Sequence, residues 1–184
     1  MPDLAQYSST TLPLPLKYQL LSAVRIEWSW AFTGSGRTWD YTCKATHLQY
    51  FTLSEQDVLI SVVEVNQRSL QHADETFQVY GLSAAYTYPA YRNEGFGRQV
   101  VQAATNFIHT SNADVAMLFC LPERADFYRV SGWQPLPAAT ILYGDPKQPY
   151  VNEETVMMQF VSAKGVQHQN TFAHQPVHVG KHLW

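Results

Sequence analysis

Hydrophobic positions change their period along this chain, and the changes mark its elements. Over residues 17–32, Leu20, Leu21, Val24 and Trp28 fall on one side of a helix, ahead of a turn-forming Thr33-Gly34-Ser35-Gly36-Arg37. From His47 the period shortens to two. Leu48–Leu53 and Val58–Val65 read as strands, and the polar Ser54-Glu55-Gln56-Asp57 between them suits a hairpin turn. Phe77–Tyr88 is a third strand, rich in tyrosine. Within Gly97–His109, Val100, Val101, Ala104, Phe107 and Ile108 recur with the spacing of one helix face. Val115–Cys120 is an unbroken apolar run, the mark of a strand buried on both faces. A short helix is expected over Pro122–Val130, closed by Ser131-Gly132, and Glu154–Val161 is the clearest late strand. Residues 1–16, with Pro2, Pro13 and Pro15, read as an extended lead-in. This order of elements predicts a mixed α/β (α+β) sheet.

Composition narrows the function classes. The chain has 184 residues, 46% of them hydrophobic and 15% charged. That charged fraction is well below the usual ~25%, so uncharged polar side chains must cover much of the surface. A net charge of −3 gives no basic footprint for nucleic acid, and no basic run suits an anionic lipid surface. No apolar run approaches the ~20 residues of a membrane span, and Met1-Pro2-Asp3-Leu4 does not begin a signal peptide. Cys43 and Cys120 have neither metal-type nor redox spacing and read as buried thiols. The expectation is a cytoplasmic protein with neither nucleic acid nor membrane as partner.

The candidate chemistry starts at Tyr91–Arg98, read Tyr-Arg-Asn-Glu-Gly-Phe-Gly-Arg, between a strand and a helix. A strand, a glycine turn and a helix start present several N–H groups and the positive end of the helix dipole to one point, which suits a phosphate. No Lys-Ser or Lys-Thr pair exists, as a P-loop requires. A dinucleotide fingerprint would need glycine at position 100, which is Val, and Asp114 precedes the next strand where the ribose-binding acid should follow one. Arg92-x-x-Gly95-x-Gly97, after Pro89-Ala90-Tyr91, resembles the acetyl-coenzyme A loop of the GNAT acetyltransferases. Phe127-Tyr128-Arg129-Val130-Ser131-Gly132-Trp133 resembles that family's second signature, a short helix carrying Tyr and ending in Gly before an aromatic residue. The two segments are separated by one helix and one strand, as in the family. Val65–Leu70, Gly132-Trp133-Gln134-Pro135, Glu154-Thr155-Val156 and the final Trp184 are also similar to the aminoglycoside 2′-N-acetyltransferase branch.

The resemblance implies a single domain over residues 17–164, with a mixed, mostly antiparallel central sheet flanked by helices, and a tail over 165–184 packing near the acceptor side. It implies acetyl-coenzyme A as co-substrate and transfer to a primary amine of a small molecule or peptide, by direct attack in a ternary complex. Homodimers are common in the family. The pyrophosphate would lie on backbone N–H groups of Arg92, Asn93, Glu94, Gly95, Phe96, Gly97 and Arg98, with the Glu94 side chain pointing outward. The pantetheine arm would bond the strand backbone at Ala84, Ala85, Tyr86 and Thr87.

By position Tyr128 matches the family's acid, which protonates the leaving thiolate. The base is less plain. Ser83 stands where many members carry Glu and cannot take a proton at neutral pH. Glu64 is a substitute if it faces the cleft, but the period of two places it opposite Val63 and Val65, on a face that reads as exposed. The carboxylate of Trp184 is another candidate, too acidic for an efficient base unless desolvated. Water or bulk solvent taking the proton is the preferred reading. His174, His178 and His182 recur every four residues, but Pro176 and Gly180 interrupt any helix that would gather them, so no metal site is expected. Trp28, Trp30, Phe32 and Trp39 are candidates for an aromatic acceptor pocket. Only Asp40 lends acidity there, which favours a small or partly apolar amine over a polycation. The rival reading, carried by Ser83, is a module that binds coenzyme A without turnover.

Overall fold

The computed structural model describes residues 1–32 and 48–184, with Trp30 and Ala31 described through their backbone alone. The chain forms two compact units, Met1–Asn66 with Ala84–Ala104, and Gln67–Ser83 with Thr105–Trp184.

In the first unit, β1 (Asp3–Ser8) is followed by α1 (Leu14–Glu27), β2 (Leu48–Glu55), the first part of β3 (Val58–His72), the end of β4 (Glu75–Thr87) and the start of α2 (Phe96–His109). The strand order here is β1-β2-β3-β4. Pro13 and Pro15 flank the first residue of α1, where a missing N–H is harmless and a fixed φ helps. The Pro-rich stretch therefore starts a helix at Leu14 after a strand at Asp3. Leu16, Leu20, Ala23 and Val24 of α1 pack on Leu48, Tyr50, Leu59, Val62 and Tyr86. Gln19 clamps helix to hairpin: its amide donates to the carbonyl of Asp57 (2.7 Å) and accepts the N–H of Leu59 (2.9 Å). The hairpin of β2 and β3 forms as the alternation predicts, pairing Leu48 with Asn66 and Glu55 with Val58.

The second unit holds the remainders of β3, β4 and α2. It then adds β5 (Val115–Cys120), α3 (Ala125–Arg129), β6 (Gln134–Pro135), β7 (Ile141–Asp145), β8 (Gln148–Val151), β9 (Thr155–Phe160), α4 (Ala163–Gln167), α5 (Gln169–His174) and β10 (Val177–His178). Its main strand order is β3-β4-β5-β9-β6, with β10-β7-β8 as a smaller sheet. β5 with β9, β6 with β9 and β7 with β8 pair antiparallel, while β4 with β5 and β10 with β7 pair parallel. Phe77, Val79, Val115, Met117, Ile141, Met158 and Phe172 form its core. Asp114, weighed from the sequence as a ribose ligand, is instead a structural joint. Its carboxylate accepts from the Gln78 N–H (2.8 Å) and the Ser162 hydroxyl (2.7 Å), and its carbonyl accepts from Val161 (2.9 Å). No described helix is long and apolar enough to cross a membrane.

Candidate functional site

The glycine loop is built as its sequence suggests. A short 3-10 turn at Pro89–Tyr91 follows β4, and α2 begins at Phe96. Asn93 (φ 68°) and Gly95 (φ 82°) both adopt the left-handed region, which Asn and Gly enter most readily. Nothing lies within 4 Å of the space a Cβ would take at Gly95, so that side of the loop is open. The first-turn N–H groups of α2 have no carbonyl one turn back to accept them. Arg92 is not spent on this opening: its Nε donates to the carbonyl of Thr87 (3.0 Å) and its guanidinium lies 5.6 Å from the Tyr86 ring. Arg92, Asn93, Glu94, Gly95 and Arg98 are exposed, and Phe96 and Gly97 are partly covered.

Along β4, Ala84 has φ 47°, a left-handed residue inside a strand. It interrupts the alternation just after Ser83 and ahead of Ala85, Tyr86 and Thr87. The Ser61 hydroxyl donates to the carbonyl of Tyr86 (3.1 Å) and bonds the Thr87 hydroxyl (2.8 Å), holding this stretch against β3.

Glu64 corrects the reading of an exposed face. It is 3% exposed, opposite Tyr50 in the β2–β3 register. The period of two does place Glu64 with Val62, but that face carries α1, while Val63 and Val65 on the other face are buried too. Both faces of β3 are covered, a fact that alternation alone cannot supply.

In the second unit, α3 brings Tyr128 beside Cys120, Arg124 and Glu154. Tyr128 is buried, and desolvation, followed by Cys120, pushes its phenol up to about 12. Desolvation, followed by Glu154, pushes the Cys120 thiol up to about 11, and burial also raises the Glu154 carboxyl. The helix end is fixed from below. Gly132 turns with φ 86°, the Trp133 indole donates to the Thr105 hydroxyl (3.0 Å), and the Gln159 amide donates to the carbonyl of Ser131 (3.2 Å).

Trp184 lies on the same unit's sheet. Its indole N–H donates to the carbonyl of Met117 (3.1 Å), its ring sits 5.2 Å from that of Phe119, and Arg68 lies 4.9 Å from it. Sequence reasoning had only the residue's position to go on and missed Arg68 and Gly81 beneath it. Trp28 and Phe32 of the aromatic group pack with the α1 core. Trp39, Asp40, the Gly34–Arg37 turn, Cys43 and the Trp30 side chain lie outside the described residues. Among the described residues no group of three or more potential ligands could hold a metal.

The fold is similar to that of several solved structures. Escherichia coli ElaA is similar over 86% of this chain and 99% of its own, at 15% identity and TM-score 0.61. An aminoglycoside 6′-N-acetyltransferase solved with coenzyme A is similar over 87% of this chain and 97% of its own, at 11% identity and TM-score 0.62. A conserved Enterococcus faecalis protein aligns over 73% of this chain at 16% identity and TM-score 0.58, and this chain spans only 32% of it. No curated protein matches. The model of the acetyltransferase (GNAT) domain matches residues 27–136, and the chain belongs to that family.

Proposed function

We propose that this protein transfers an acetyl group from acetyl-coenzyme A to a primary amine of a small molecule or peptide, by direct attack in a ternary complex. The observation that carries the reading is the open helix-start loop. Asn93 and Gly95 turn the backbone, Gly95 leaves room for a close ligand, and Arg92 is tied back to β4. Such a loop holds a pyrophosphate through N–H groups and the helix dipole. The pantetheine arm bonds the backbone of β4 from Ala84 to Thr87.

A neutral amine attacks the thioester carbon, the tetrahedral oxyanion collapses, and the carbon–sulfur bond breaks to leave the thiolate of coenzyme A. Tyr128 donates to that thiolate. The burial that makes its phenol a weaker acid also makes a thiolate nearby a stronger base, as the raised thiol of Cys120 beside it illustrates. Ser83 cannot take the amine's proton. Glu64, a buried carboxylate on the α1 face of β3, is assigned as its acceptor, directly or through water. Glu64→Gln is expected to lower kcat/KM about a hundredfold and to flatten the acidic limb of the pH profile. An unchanged profile, measured by steady-state kinetics, would hand the proton to solvent.

The test of the reading as a whole is incubation with acetyl-coenzyme A and a panel of amines, following free thiol. Amine-dependent thiol release supports the transferase. Ser83 favours one rival, a module that binds coenzyme A without turnover; no thiol release above background with any amine would favour it, and release above the background hydrolysis rate without amine would sink it. A melting temperature that coenzyme A leaves unmoved would end both.

A further inference from the structure

The pairing of β4 with β5 is short. It covers Val79 with Val115, Tyr80 with Ala116 and Gly81 with Met117, and there it ends, although β4 runs on to Thr87 and β5 to Cys120. The indole of Trp184 sits on this last pair. Its N–H takes the carbonyl of Met117, and its ring occupies the space over Gly81 so closely that any Cβ at that position would overlap it. Phe119, two residues further along β5, stacks on the same ring.

The segment that delivers the indole is stitched down. Val179 donates its N–H to the carbonyl of Leu142 (2.8 Å), and the carbonyl of Gly180 accepts from Gly144 (2.9 Å). Arg68 adds the latch: its guanidinium donates to the carbonyls of Val179 (3.2 Å) and His182 (2.8 Å) while lying against the indole. One nitrogen, Nη1, donates to both carbonyls while the guanidinium lies over the ring face.

We propose that Trp184, latched by Arg68, is a wedge that fixes where β4 and β5 part, and that both are positioning residues for the pantetheine arm of the acyl donor. The inference rests on the reading of coenzyme A as donor. The pantetheine arm needs β4 backbone groups that β5 does not take. An indole hydrogen-bonded at Met117 and seated on Gly81 sets the last paired position there, so the strand edge beyond it stays available to the ligand. The wedge acts on donor binding, not on the amine.

The test measures coenzyme A affinity by calorimetry, with melting temperature and steady-state kinetics alongside. Trp184→Phe keeps an aromatic ring but loses the N–H and the five-membered ring seated on Gly81, and Arg68→Gln loses the latch. Each is expected to weaken coenzyme A binding about threefold to tenfold, the range of one neutral hydrogen bond. In Arg68→Gln the effect should fall on the KM for acetyl-coenzyme A, with kcat and the KM for the amine little moved, and Arg68→Lys should restore part of it. Gly81→Ala displaces the indole from beneath and should act in the same direction. Unchanged coenzyme A affinity in both Trp184→Phe and Arg68→Gln overturns the proposal, as does an effect confined to the amine KM or one that only tracks lost melting temperature. Failure of the unsubstituted protein to bind coenzyme A would instead strike at the donor assignment itself.

Discussion

Replacing Tyr128 by Phe is expected to lower kcat for acetyl transfer about a hundredfold, with little change in coenzyme A affinity. The ring stays, so the packing under α3 stays, and Phe127 keeps its edge contact at 4.9 Å. What is lost is one buried donor, the one that the proposed mechanism gives to the leaving thiolate. Desolvation pushes the phenol up to about 12, so it remains protonated through the whole working range. The alkaline limb of the kcat profile should therefore not report Tyr128 until pH approaches 12. Because the folded pKa lies above the ordinary 10.0, the stability tied to this proton is full below pH 10 and is lost as pH rises toward 12. A Phe variant with kcat within about threefold of the parent would remove Tyr128 from the mechanism.

Gly165→Ala is expected to lower stability by about 3 kcal/mol, the upper end for forcing atoms into a packed site. Gly165 is buried in α4, and a Cβ there would overlap the carbonyl oxygen of Asp114 and crowd Val115 at 3.3 Å. That carbonyl cannot move alone. It accepts from Val161 and Ser162, while the Asp114 side chain accepts from Gln78 and Ser162, so a shift would disturb four hydrogen bonds at the junction of β4, β5, β9 and α4. Urea unfolding monitored by circular dichroism checks it. An unchanged midpoint would mean that α4 can pivot away from Asp114 freely.

Local pattern carried much of this molecule. Leu48–Leu53 and Val58–Val65 report a hairpin because two runs rich in β-branched and aromatic residues flank a short polar turn. The glycine loop was legible for a different reason: its shape is set by backbone geometry, which Gly95 and Asn93 encode. What stayed hidden was set by distant partners. Asn66-Gln67-Arg68-Ser69 looks too polar for a strand, yet β3 runs through it because Arg68 is received by Val179 and His182, more than a hundred residues away. Residues 165–184, expected as a tail, complete α4 and form α5 and β10, with Gly165 packed on the carbonyl of Asp114 and Val177 donating to that of Thr140. Glu64 reads as surface until α1 is known to lie over it.

The two hairpin turns bear on how the chain folds. Gln56-Asp57 and Ala73-Asp74 each place two successive residues in the left-handed region, with φ between 49° and 64°, and neither turn contains glycine or asparagine. In an isolated segment such residues resist that geometry by about 1–2 kcal/mol each, Asp the least. These turns therefore follow the strands and do not lead them. Nucleation of β2, β3 and β4 must come from contacts made along their length, with each turn closing late, once the flanking strands have already met.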